Sequence, residues 1–117
     1  MSWYSYSKVT RTLVIVALAS FATPAMASET EAGEKVYAQT CIACHGANGK
    51  GAIPGVSDFT KADGPLSKSD EVLAASIRDG VATPGKPLSM PPKGGNPSLT
   101  DEEIQAVLEY LRSSFGG

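Results

Sequence analysis

The sequence predicts an all-α domain. Three observations carry that prediction: apolar residues recur at helical spacing in separate segments, those segments carry helix start or stop signals, and no stretch sustains the apolar–polar alternation of a half-buried strand. Hydrophobic residues make up 42% of the 117 and charged residues 19%. That composition supplies a core and excludes a self-repelling disordered chain. The length suits about one domain.

The opening segment reads as a leader and not as part of the fold. Lys8 and Arg11 precede an apolar stretch, Leu13–Ala22, which Thr23 and Pro24 interrupt. Ala25-Met26-Ala27 then matches the small-residue pattern at which export signals are cut. Residues 1–27 are therefore expected to be a cleaved signal peptide and 28–117 the mature domain, delivered to the periplasm. An uncleaved anchor is the alternative, but the apolar stretch is short for spanning a bilayer. The whole chain has a net charge of −2. Removing two basic residues and no acidic one makes the remainder more acidic, which disfavours nucleic-acid binding.

The helices follow in order. Ser28 with Glu31 fits a capping box for a helix running to about Thr40, with Gly33, Tyr37 and Cys41 recurring every four residues on one face. Gly46–Gly55 is glycine-rich and reads as loop, and Asp58–Lys61 as a short turn. Ser67 or Ser69 caps a second helix carrying Val72, Leu73, Ser76 and Ile77 on one side, with Gly80 as its stop. Ala82–Pro97 is dense in proline and glycine and predicts irregular chain. Thr100 and Glu103 form a second capping box, opening a helix in which Ile104, Val107, Leu108 and Leu111 fall at i, i+3, i+4 and i+7. Arg112 near its end complements the helix dipole. The segment after the leader is poor in aromatic residues, and domains this small often need a disulfide, metal or cofactor as a staple.

The chemistry concentrates in Cys41-Ile42-Ala43-Cys44-His45, which uses both cysteines and the single histidine of the chain. C-x-x-C-H is a signature of covalent haem attachment. Two cysteines one helical turn apart can bond two vinyl groups on one porphyrin edge, and the following imidazole can reach the iron. Three other readings compete: a redox dithiol, which expects a sheet-based fold after a strand; a simple disulfide; and a zinc site, which wants a fourth ligand from a second cluster.

A second axial ligand has one candidate. Met90 is the methionine that remains once Met1 and Met26 are removed with the leader. It lies in Leu88-Ser89-Met90-Pro91-Pro92-Lys93, where the two prolines stiffen the chain directly after it. Methionine commonly fills core gaps, but this setting is a poor one for a helical core residue. Thioether ligation favours Fe(II) relative to a second nitrogen ligand.

With these residues the chain resembles a class I cytochrome c of the small monohaem bacterial kind, most like the c-five type. The resemblance spans residues 28–115. It implies about three to four helices wrapped around one covalently bound haem c. It also implies Cys41 and Cys44 as thioether cysteines, His45 as proximal ligand and Met90 as distal ligand. The extra cysteine pair that many c-five members carry after the methionine loop is absent. The family usually offers a proline carbonyl to the proximal imidazole; Pro54 is the nearest candidate, while Ser57 stands where a second proline is expected. The resemblance further implies that the first and last helices cross, with Gly33 allowing close approach of Tyr110 near Tyr37 and Leu108.

Such a site, with both axial positions filled, implies a one-electron carrier and no enzymatic activity. Partners would be a redox donor and acceptor docking transiently around the haem edge, where Lys50, Lys86 and Lys93 could form a positive rim. The carrier is expected to be monomeric, without nucleic-acid contacts or stable membrane insertion. Displacement of Met90 would instead give a gas-binding or peroxide-reducing haem protein, and an electron-transfer subunit of a larger respiratory complex is the third possibility.

Overall fold

The computed structural model describes Ser20 and residues 25–116. The expected leader features, Lys8, Arg11 and most of Leu13–Ala22, lie outside the described residues. Helix α1 spans Ala25–Val36. It starts upstream of Ser28, so Ser28 sits within the helix and not at its cap, contrary to the sequence expectation.

The first helix also does not end near Thr40. At Tyr37–Cys41 the backbone widens into a π turn, in which the Ile42 N–H donates to the Tyr37 carbonyl five residues back. It then tightens into a short helix, α2, Ile42–His45. The cysteine motif is thus the C-terminal end of one continuous helical stretch. Gly46 stops it with φ +80° and returns its N–H to the Ile42 carbonyl at 2.8 Å, a backbone angle that glycine adopts without penalty.

Helix α4 spans Asp101–Phe115 and opens with the expected capping box. Thr100 Oγ1 accepts from the Glu103 N–H at 3.2 Å, and the Glu103 carboxylate accepts from the Thr100 N–H at 2.9 Å. Its apolar stripe, Ile104, Val107, Leu108 and Leu111, is buried. These residues pack with Val36, Tyr37, Leu73 and Leu99 into one core cluster, because an amphipathic helix gains most of its stability from burying that stripe.

Helices α1 and α4 meet at Gly33. A Cβ there would lie 2.6 Å from the Ala106 carbonyl carbon, closer still to its oxygen, and 2.9 Å from Tyr110 Cβ. The two backbones therefore touch where a side chain has no room, as the sequence suggested. Tyr37 and Tyr110 pack beside the contact with ring centroids 5.3 Å apart.

Helix α3 spans Asp70–Asp79 with Ser69 as its cap. It buries Leu73 and Ala74, while Val72 is 47% exposed. The predicted face was therefore rotated: Val72 points outward and Ala74 takes the core position. Arg112 reaches from α4 to the start of α3. Its Nε donates to the Asp70 carboxylate at 2.6 Å and its other nitrogens donate to the Leu66 and Lys68 carbonyls at 2.9 and 2.8 Å. Short 3-10 turns at Pro65–Ser67 and Pro92–Gly95 complete the path. The sequence reading did not anticipate either turn.

Candidate functional site

The motif is held from both ends. Upstream, the π turn inserts one extra residue per turn between α1 and the cysteines, a local feature often found at functional positions. Downstream, the loop after His45 folds back on the helix end: the Gly51 N–H donates to the His45 carbonyl and the Ala52 N–H to the Cys44 carbonyl, both at 2.8 Å. The C-terminal carbonyls that a helix leaves unpaired are satisfied by this loop. From the core side, the buried Tyr37 hydroxyl donates to the Gly46 carbonyl at 2.6 Å. Sequence reasoning placed Tyr37 on the motif's helix face but did not foresee this clamp.

Cys41 and Cys44 are not bridged to each other; Cys41 is partly covered and Cys44 exposed. Burial, with a smaller contribution from Cys44, pushes the Cys41 thiol up to about 11. A redox-active dithiol needs a depressed thiol pKa to supply thiolate, so the structure argues against that reading. No group of three or more His, Cys, Asp or Glu side chains among the described residues is placed to hold a metal ion.

His45 is the electronically distinctive group. Burial holds its imidazole below the ordinary histidine range, opposed more weakly by the nearby Ser57 backbone. That direction favours the neutral ring, the form in which an imidazole ligates a metal. Its Nδ1 is buried and has no hydrogen-bond partner; the Ser57 backbone lies close enough to favour the protonated ring but outside hydrogen-bond geometry. Pro54 is exposed and makes no hydrogen bond to His45, so the proline suggested by the sequence does not serve as acceptor here. Phe59 stacks on the imidazole, with ring centroids 4.5 Å apart and planes 17° apart.

Met90 is fixed through its backbone. It exchanges two hydrogen bonds with Val81, each 2.9 Å, in an isolated antiparallel bridge. This closes the 81–90 segment into a loop directly after α3. Gly80 makes the closure possible: it has φ +79°, and a Cβ there would sit 2.6 Å from the Met90 carbonyl oxygen. After Met90 the chain packs onto the cysteine helix, where a Cβ at Gly94 would reach Thr40 Cγ2 at 3.0 Å. The fold thus brings the methionine loop against the residue preceding Cys41.

Haem c fits these residues. The donor set combines a neutral imidazole and a thioether, and two thiols lie one helical turn apart. Three large apolar side chains also lack a protein cover: Ile53 at 40% exposure, Val81 at 42% and Leu88 at 40%. Ile53 follows the Ala52 bond to the cysteine helix, Val81 is Met90's partner in the bridge and Leu88 lies two residues before Met90. A large apolar group seated between these loops would remove that surface from water at roughly 25 cal/mol per Å².

The lysines expected to form a rim have separate settings. Lys50 and Lys86 are exposed. Lys50, with Lys61, contributes to holding Asp58 below the usual carboxylate range, after the larger effect of the Thr60 hydrogen bonds. Lys93 sits in left-handed backbone at φ 54° and donates to the Pro97 carbonyl at 3.4 Å.

Residues 28–111 match a family described as cytochrome c oxidase, cbb3-type, subunit III. Among similar proteins, the lupanine 17-hydroxylase [cytochrome c] of a Pseudomonas species is 36% identical over 83 residues, covering 69% of this chain and 10% of that protein. The cbb3-type cytochrome c oxidase subunit CcoP of Rhodobacter capsulatus is 28% identical over 95 residues, covering 80% of this chain and 32% of that one. Cytochrome c-555 of Chlorobaculum thiosulfatiphilum is 34% identical over 84 residues, covering 71% of this chain and 93% of that one. The chain thus spans between a tenth and a third of the first two, and nearly all of the third. The chain belongs to this family: it is a class I c-type cytochrome domain, with haem c as its cofactor.

Proposed function

We propose that this protein is a one-electron carrier of the periplasm, exported through residues 1–27 and working as residues 28–117. Cys41 and Cys44 would hold haem c by thioether bonds, and His45 and Met90 would supply the two protein ligands of its iron. Haem c, when bound, supplies a one-electron Fe(III)/Fe(II) couple. The observation that carries the reading is the placement of Cys41, Cys44 and His45 at the end of one helical stretch that the Tyr37 hydroxyl and the Gly51 and Ala52 N–H groups pin from both sides.

The residues contribute rigidity. A carrier exchanges electrons quickly when its ligand geometry changes little between oxidation states. The Tyr37 clamp, the Gly51 and Ala52 bonds and the Val81–Met90 bridge each restrict one of the segments that present ligands. An iron held by both His45 and Met90 would leave no position open to a substrate, as a carrier requires. No helix among the described residues is long and apolar enough to cross a membrane. Donor and acceptor dock transiently on a small patch near the haem edge, with Lys50, Lys86 and Lys93 as its positive rim, and the protein acts as a monomer.

Met90→Ala tests the ligand set. The variant is expected to bind carbon monoxide in the ferrous state and to have a lower reduction potential than wild type. Wild-type potential and no carbon monoxide binding in the variant would remove Met90 from the site, whereas carbon monoxide binding by the wild-type protein would reopen the gas-binding and peroxide-reducing alternatives. The similarity to CcoP favours a second reading, an electron-transfer subunit of a larger respiratory complex. Native size measured in periplasmic extract separates the two: a free carrier elutes at the size of the single chain.

A further inference from the structure

His45 has a close neighbour that the account above does not use. The Phe59 ring lies over the imidazole at 4.5 Å with an interplanar angle of 17°. Phe59 is itself immobilised: it is buried, and its N–H donates to the Gly49 carbonyl at 2.8 Å. On the C-terminal side it is backed by Phe115 of α4, at 6.2 Å and 27°. Gly49 leaves the space for that backing, since a Cβ there would lie 2.8 Å from two Phe115 ring carbons. The three rings form a stack from the ligand to the end of α4.

An imidazole bound to a metal through one nitrogen keeps one soft motion, rotation about the metal–nitrogen axis. A hydrogen bond from the other ring nitrogen ordinarily fixes that angle. Here the Ser57 backbone is the group beside the imidazole, and it falls short of hydrogen-bond geometry to Nδ1, so its hold on the ring is weak. A flat ring against the imidazole face opposes the same motion, because rotation drives an imidazole edge into the neighbouring π surface. We infer that Phe59 is a positioning residue for the proximal ligand, setting the plane of the His45 imidazole by stacking, with Phe115 holding Phe59 in place. This inference rests on His45 being the axial ligand.

The test uses the haem-loaded protein in the ferric state. The shifts of the four haem methyl protons report the orientation of the axial ligand planes and do not follow stability alone. Phe59→Leu is expected to change the order or spread of those four shifts, and Phe59→Tyr, which keeps the flat ring, to restore the wild-type pattern. Phe115→Leu removes the backing without touching His45, and is expected to move the shifts in the same direction by less. It also serves as the decisive variant if Phe59→Leu does not load haem. A wild-type shift pattern in both leucine variants overturns the role of Phe59, and a wild-type pattern in Phe115→Leu overturns it where that variant stands alone. Failure of the ligand reading looks different: wild type itself would then lack low-spin ferric signals with a histidine on the iron.

Discussion

Replacing Gly33 by alanine gives opposite signs under two accounts of that residue. If Gly33 were only a weak helix former, alanine would stabilise α1 by about 1 kcal/mol. The structure predicts the reverse. The added Cβ would meet the Ala106 carbonyl carbon at 2.6 Å and Tyr110 Cβ at 2.9 Å. Carbon pairs settle at about 3.5–4.0 Å, so α1 and α4 must separate by roughly 1 Å along a seam that holds Val36, Tyr37, Val107 and Leu108. The obstructing atoms belong to a helix backbone and cannot swing aside. Overpacking of a core costs about 1–3 kcal/mol, and backbone-on-backbone contact belongs at or beyond the upper end. Set against the propensity gain, the net loss is about 2 kcal/mol. For a domain of this size that lowers Tm by roughly 8–16 °C. Gly33→Val should lose more, being larger and a poorer helix former. The assay is thermal and urea unfolding of the haem-loaded protein. A midpoint equal to or above wild type in Gly33→Ala would refute the close crossing.

Other consequences follow from individual contacts. Arg112→Met removes one ion pair and two bonds to backbone carbonyls, all partly exposed, and should cost about 2 kcal/mol by urea denaturation. Thr100→Ala breaks the capping box of α4 and should cost about 1 kcal/mol in the same measurement. Tyr37→Phe deletes the bond to the Gly46 carbonyl and should cost about 1 kcal/mol at pH 7. Burial, then the neighbouring Cys41 and Tyr110, push the Tyr37 hydroxyl from 10.0 up to about 12 in the folded protein. The stability tied to that protonated hydroxyl is therefore complete below pH 10 and is lost as pH rises through about 12. Wild type should lose its advantage over Tyr37→Phe across that window, as followed by urea midpoints; a constant difference from pH 7 to 12 would contradict the assignment.

Much of the fold was legible because its signals are local. The capping box at Thr100 and Glu103, the stripe from Ile104 to Leu111, and the stop at Gly80 each depend on residues within one or two turns. Gly33 was legible for a different reason: a glycine in mid-helix costs stability, so its presence asks for a close neighbour. The face of α3 was misassigned because Val72 and Ala74 both suit an apolar side, and only packing against α4 decides which turns inward. Ser28 looked like a cap because the residues before it read as leader, whereas the structure continues the helix through them.

The site divides in the same way. In the proposed haem site, Cys41, Cys44 and His45 are picked out by their spacing, and Met90 by being the methionine beside two prolines once the expected leader is set aside. Their supports come from long-range contacts that no local pattern encodes. Tyr37 reaches Gly46, Phe59 crosses to His45, and Val81 pairs with Met90. The π turn at Tyr37–Cys41 leaves no mark in the residue pattern either, since it shifts backbone bonds without changing which residue types are suitable.

One haem joined to this polypeptide by two thioether bonds is the central requirement, and a pyridine haemochrome spectrum taken with intact mass on the exported protein tests it most directly. The predicted result is one haem per chain that survives denaturation, an absorption band typical of two saturated vinyl groups, and a polypeptide beginning at Ser28. Removable haem, or an apoprotein mass with both Cys41 and Cys44 open to thiol alkylation, would contradict it.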